Sequence, residues 1–334
     1  MGDTLRVGVV GLGGHGLLHL DVLTHMPGVT VAAVCSRTPE RAAEVADRYS
    51  IADTYRDVAA MVEQTALDAV FVCTEDDRHL GPTMTALRAG LDVFVEKPIS
   101  VDLAEARSMV SEAERRRRRL MVGHVVRFDP RYAIVKERIA SGAMGRVATV
   151  YGRRNQSRAL LDRYRYASRM FTTGIHDVDI ILWYLEGRKP VEVYMKTQSV
   201  HGKGDDVFWG MVTMDDGSLG IVETSWILPE SVPWGKQFLL EVMGSEATAI
   251  VETPGAGFSL WSADPHDSAN YVYWPVVHGA VSGALRDEDA YFVRCLREGL
   301  LVEMPRPEDA IRALELSHAF LRSAEEGRPL RLCW

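Results

Sequence analysis

Cysteine is scarce: four residues, Cys35, Cys73, Cys295 and Cys333, stand in a chain of 334, and no two form a CxxC pair. Such scatter offers neither a disulfide framework nor a cysteine zinc site, and it suits reduced thiols. Basic charge is also short, with 38 Lys and Arg against 46 Asp and Glu and a net charge of −8. That balance argues against general affinity for nucleic acid or for an anionic membrane. Charged and turn residues interrupt every apolar run before it could span a bilayer. The opening MGDTLRVGVVGLGGHG has no basic segment followed by an apolar core, and Arg6 stands where a myristoylation signal carries Ser or Thr. Neither secretion nor lipidation is expected, and a cytoplasmic setting is. Repeats and low-complexity segments are absent too.

What is present falls into two rhythms, and the length alone predicts two domains. Over residues 1–123, apolar runs at 5–11, 30–35, 68–73, 91–96 and 120–124 alternate with helical patterns at 14–25, 39–49, 80–89 and 102–118. Runs without polar alternation suit a parallel sheet covered on both faces, so this part reads as a doubly wound α/β domain. Over 124–334, a helix at 130–141 leads into alternating strands at 146–154, 191–197, 207–214, 218–226, 237–244 and 247–252. A helix at 176–186 interrupts them, and helices at 285–298 and 307–326 follow. The MDDGS and GSEA turns are hairpin signals, which predicts an α+β domain with a large, mainly antiparallel open sheet.

GLGGHG at 11–16 follows the first strand and opens the first helix, giving Gly11, Gly13 and Gly16 the GxGxxG spacing, with Gly14 and His15 in the same turn. Glycines there permit a tight turn and close approach of a pyrophosphate to a helix N-terminus, so the domain is expected to bind a dinucleotide. The second strand ends in Cys35, Ser36, Arg37 and Thr38 with no acid. A hydroxyl and a guanidinium suit a 2′-phosphate, which favours NADP over NAD; the alternative is a solvated Arg37 beside a helix cap. Thr74 and His79, after the third run, are counted with the cofactor site.

VFVEKPIS at 93–100 ends an apolar strand on Glu96, Lys97 and Pro98. Ligands of open α/β sheets bind outside the carboxyl ends of the strands, so Lys97 is expected to face the nicotinamide and stabilise a developing alkoxide. Pro98 is a candidate for a cis bond. FTTGIHDVDIILWYL at 171–185 carries His176 on a helix, where a lone histidine is more often structural than catalytic.

GVVGLGGHG, FVEKP and GIHDVDIILWYLEG together resemble the glucose-fructose oxidoreductase / inositol dehydrogenase / rhizopine-catabolism (Gfo/Idh/MocA) family over the whole chain. The resemblance implies a Rossmann domain over 1–123 and a substrate-binding and oligomerisation domain over 124–334. It also implies that Lys97 and His176 form the catalytic pair of an NAD(P)-dependent sugar or cyclitol dehydrogenase. One departure stands out: the family aspartate one turn before the histidine is Thr172 here, with Asp177 or Asp179 near enough to compensate. The substrate side is expected to include Arg127, Thr172, Thr173, Asp179, Arg163, Tyr164 and Trp234. Six arginines between 153 and 169 would suit an anionic sugar, or else a subunit contact or solvated loop. No metal, nucleic acid or membrane partner is expected, and a homodimer or homotetramer is. A cofactor-binding sensor without turnover and a redox-neutral NAD-dependent glycosidase are the competing functions.

Overall fold

The computed structural model describes residues 4–164, 168–202, 204–232, 235–253 and 273–334. Contacts divide the chain into two compact units, Met1–Phe128 with Val272–Ile311, and Asp129–Tyr271 with Arg312–Trp334. The sequence reading made a single cut after residue 123; here a late segment returns to the first unit.

In the first unit β1 (Leu5–Val10), α1 (Gly14–Thr24), β2 (Val29–Cys35), α2 (Pro39–Tyr49), β3 (Asp53–Tyr55) and α3 (Val58–Gln64) are followed by β4 (Ala69–Val72) and α4 (Leu80–Arg88). Next come β5 (Asp92–Glu96), α5 (Leu103–Arg116), β6 (Leu120–Gly123) and a 3-10 turn, Val125–Phe128. The helices start where side chains or proline satisfy their first turn: Pro39 opens α2, Asp57 accepts from Ala60 N, and Asp102 accepts from Glu105 N. The six strands pair in parallel in the order β3-β2-β1-β4-β5-β6. Chain order reverses between β1 and β4, the crevice where open α/β sheets take ligands. Val7, Val9, Phe71, Val93, Phe94 and Val95 are wholly buried.

In the second unit α6 (Pro130–Ala140), β7 (Val147–Ser157), α7 (Leu160–Arg163), a π turn (Met170–Gly174) and α8 (Ile175–Tyr184) precede four strands. These are β8 (Pro190–Gln198), β9 (Val207–Met214), β10 (Leu219–Leu228) and β11 (Lys236–Gly244), and β12 (Thr248–Thr253) follows them. A small hairpin, β13 (Val276–Val277) and β14 (Ala280–Val281), with α9 (Ala284–Glu298), belongs to the first unit. Helix α10 (Pro307–Glu326) and β15 (Leu330–Arg331) end the chain. The large sheet runs β12-β11-β7-β10-β9-β8-β15 and is antiparallel except for the central pair β7 and β10. Helix α8 lies so close to this sheet that glycine is required beneath it. A Cβ on Gly152 would stand 2.7 Å from that of Asp177, and one on Gly220 would stand 2.5 Å from Ile181 Cγ2.

Helix α9 explains the return of the late segment. Phe292 meets the stacked pair Phe71 and Phe94 edge-on, with centroids 5.6 and 5.9 Å away. All three rings are fully buried, worth about 1.5–3 kcal/mol each.

Candidate functional site

The glycine turn is built by close approach. Gly11 has φ +91°, and a Cβ there would stand 2.5 Å from the Cys73 carbonyl oxygen. A Cβ on Gly16 would stand 1.9 Å from the Gly11 carbonyl oxygen. Both glycines are therefore demanded by the fold itself. Gly13 is different: its Cβ would meet nothing within 4 Å. With Gly14 and His15 it leads into an α1 whose first turn holds no acid and no side-chain cap, so the helix N-terminus suits an anion. The arrangement fits the pyrophosphate of a dinucleotide, which would need the open ground over Gly13. His15 stacks edge-on to Trp274 at 5.4 Å, and its Nδ1 is 3.8 Å from Glu96 Oε1.

At the end of β2, Ser36 Oγ accepts from Thr38 N at 3.2 Å. Arg37 is exposed and pairs with Glu75 at 2.8 Å. Thr74, just past β4, donates its hydroxyl to Arg78 O at 3.0 Å.

The EKP turn at the end of β5 is gripped from two sides. Glu96 Oε1 accepts from His19 Nε2 at 3.0 Å, and Oε2 accepts from the Lys97 backbone N–H at 3.0 Å. His79 Nδ1 lies 2.7 Å from Pro98 O, and its Nε2 lies 3.2 Å from Thr74 O. The Lys97–Pro98 bond is cis. Lys97, half-buried, thus sits between two residues that buried histidines hold. Burial would raise Glu96, but the His19 hydrogen bond and the charges of His15, His19 and Lys97 bring it down to about 2.

In the second unit, the π turn before α8 widens the backbone where the candidate proton-transfer group begins. His176 is half-buried in the first turn of α8. Thr172 donates its hydroxyl to Ser168 O at 3.0 Å, so its proton is committed to its own helix. Thr173 Oγ1 accepts from Gln156 Nε2 and from the Trp226 indole, both at 3.0 Å. Asp177 turns over Gly152 to take Arg154 Nε at 3.0 Å, and Asp179 is buried in α8. Burial pushes Asp177 up to about 6 even against the Arg154 charge. Lys236 on β11 is drawn down to about 8 by burial and by Arg154.

The described arginines of the 153–169 stretch take separate partners. Arg154 is buried on Asp177, Arg158 pairs with Glu230 at 3.3 Å, and Arg169 is buried over the Trp226 ring. Strand alternation turns Arg153 to the opposite face from Arg154. Arg127 belongs to the first unit, where it is buried and donates to Asp309 Oδ2 at 3.0 Å. Tyr164 meets Trp226 edge-on at 5.8 Å. Trp234, Arg165 and the Arg163 side chain lie outside the described residues. Sequence reading missed His19, Asp289, Gln156, Trp226 and Lys236. Among the described residues no group of His, Cys, Asp and Glu could hold a metal ion, and no helix is long and apolar enough to cross a membrane.

Two family models match. One, described as oxidoreductase family, NAD-binding Rossmann fold, covers residues 5–124; the other, the GFO/IDH/MocA C-terminal domain, covers 132–250. Inositol 2-dehydrogenase of Salmonella typhimurium is 31% identical over 227 residues, 66% of this chain and 64% of that protein. The match thus spans under two thirds of that relative's length. Myo-inositol 2-dehydrogenase of Thermotoga maritima is 26% identical over 339 residues, 98% of each chain. The crystal structure of myo-inositol 2-dehydrogenase from Lactobacillus plantarum shares the fold, with a TM-score of 0.85 at 23% identity over 99% of this chain and 100% of that one.

Proposed function

This chain belongs to the GFO/IDH/MocA oxidoreductase family, and we propose that it is an NAD(P)-dependent dehydrogenase acting on a carbinol carbon of a cyclitol or related sugar. The observation that carries the reading is the double grip on the EKP turn, which fixes Lys97 at the carboxyl end of β5 beside the switch point of a dinucleotide-binding sheet. Bound cofactor would supply the hydride acceptor. Gly11, Gly13, Gly14 and Gly16 would hold its pyrophosphate at the α1 N-terminus. Lys97 stabilises the developing alkoxide, and His176 accepts the hydroxyl proton; this pairing follows the family resemblance of the two motifs. The names of the relatives support a cyclitol, with an anionic sugar as the second class to assay.

Ser36, Arg37 and Thr38, with no acid at the end of β2, favour NADP over NAD. Glu75 tempers that preference by pairing with Arg37, although an exposed ion pair is worth only about 0–1 kcal/mol and yields readily to a phosphate. Trp209, Met211, Met243 and Ile250 are exposed on the strands of the large sheet, apolar area that a second copy would cover in a dimer or tetramer.

The test is nicotinamide absorbance with NAD and NADP against cyclitols, neutral sugars and sugar acids. Lys97→Ala should lower turnover by about 10²–10³ and His176→Asn by about 10²–10⁴. Firm cofactor binding without turnover on any compound would instead favour a sensor, and sugar release without net reduction of cofactor would favour a glycosidase. Sedimentation reads the oligomer.

A further inference from the structure

Two carboxylates and an imidazole lie in a row behind the EKP turn, and the grip on that turn described above accounts for only one end of it. His19, on α1, is wholly buried; its Nδ1 lies 2.9 and 3.0 Å from the two oxygens of Asp289 on α9, and its Nε2 lies 3.0 Å from Glu96 Oε1. The other Glu96 oxygen accepts from the Lys97 backbone N–H. Phe71 and Phe94 flank the ring, with centroids 5.8 and 5.1 Å away. Buried charges held in this way are costly to build, and apolar residues of the same volume are often as stable. A row of them ending on the backbone of a candidate catalytic residue calls for a reason beyond packing.

We propose that Asp289 and His19 are positioning residues that hold Glu96, and through it Lys97, in working orientation at the end of β5. The proposal rests on the reading of Lys97 given above. Each link is a hydrogen bond with both partners buried until the last, so a change at Asp289 reaches the Lys97 backbone with little to absorb it. Burial opposes charge on His19, but Asp289, Cys73 and Glu96 together carry the ring well above the ordinary imidazole value. The carboxylates on either side of the ring thus favour its protonated form. His15, Cys73, Lys97 and Glu288 are the other titratable groups in its field.

Asp289→Asn keeps the shape and removes the charge. Without that charge the pull that keeps His19 protonated is weaker, so the grip on Glu96 should loosen as pH rises. The first readout needs no turnover: competitive acetylation of lysines with acetic anhydride, followed by mass spectrometry across pH 6–10, reports the reactivity of Lys97. The variant should shift the Lys97 profile and leave Lys136 and Lys189 unmoved. The second is steady-state kinetics, where kcat should fall about 10- to 100-fold with a new loss toward high pH, while cofactor Kd stays within about twofold. Asp289→Glu should recover part of both. If Asp289→Asn does not fold, Glu96→Gln reaches the row from its other end and is held to the same two readouts. An unmoved Lys97 profile overturns the proposal whatever the turnover, since a merely structural Asp289 would lower stability alone. A wild-type protein with no turnover overturns the dehydrogenase reading, while the acetylation profile still decides on the positioning row.

Discussion

Replacing Gly13 by alanine separates what the fold demands from what a ligand demands. Its φ of −78° and ψ of −166° are open to alanine, and the new Cβ would meet no atom within 4 Å. The folded protein should lose nothing and gain about 0.4–1 kcal/mol, because alanine restricts the unfolded chain. Cofactor binding should suffer, since a methyl group would stand where the pyrophosphate approaches the α1 N-terminus. Displacing the phosphate forfeits at least one hydrogen bond to a charged group, about 1.5–3 kcal/mol, or about 10- to 150-fold in Kd. Gly16→Ala is the control of opposite kind: its Cβ would lie 1.9 Å from the Gly11 carbonyl oxygen, so the turn must move with or without cofactor. Urea melts and fluorescence titration with NADH and NADPH read the two effects separately. Gly13→Ala protein that binds both cofactors as the wild type does would refute the assignment of this ground to the pyrophosphate.

Arg154→Leu leaves Asp177 buried without its ion partner and should cost about 3–5 kcal/mol in urea unfolding at pH 7. The pH dependence has a definite sign: Asp177 titrates near 6 in the folded chain against 3.8 as a free side chain, so the folded state holds a proton that the unfolded one gives up. Its contribution is fully present below about pH 4 and declines by about 3 kcal/mol as pH rises through 6, a slope that Asp177→Asn should remove from a urea-midpoint series. Gly220→Ala would press on Ile181 Cγ2 at 2.5 Å and Val212 Cγ1 at 2.8 Å, costing about 1–3 kcal/mol by overpacking. An unchanged urea midpoint in that variant would mean that α8 can rise off the sheet freely.

The parallel sheet was legible because its strands are continuous apolar runs, and so was the glycine turn, which needs both a strand before it and a helix after it. β3 was missed because Asp53, Thr54 and Tyr55 form a strand too short to show a period. Pro82 lies in the first turn of α4, where a missing N–H costs nothing. The π turn has no signature in MFTTG. The partners of the arginines between 153 and 169 were not legible, because sequence shows neither which side of β7 each takes nor the acids facing them. His19 had a faint signal, four residues after His15 and so on the same side of α1. Asp289 had another, an acid on the apolar stripe of α9 between Leu285 and Phe292. Neither could be joined to the other, since 270 residues separate them.

That separation matters to a chain being made from its N-terminus. By the time β6 has been synthesised, the six strands of the nucleotide-binding sheet exist, yet Phe71 and Phe94 lack the ring that covers them and the His19 imidazole lacks its second carboxylate. The unit that begins first is completed only when α9 arrives, after all but the last helix and strand of the other unit have been synthesised. A nascent chain halted before residue 284 would expose an aromatic face to whatever chaperone is at hand, and a gene fragment ending at 128 would encode a sheet without its lid.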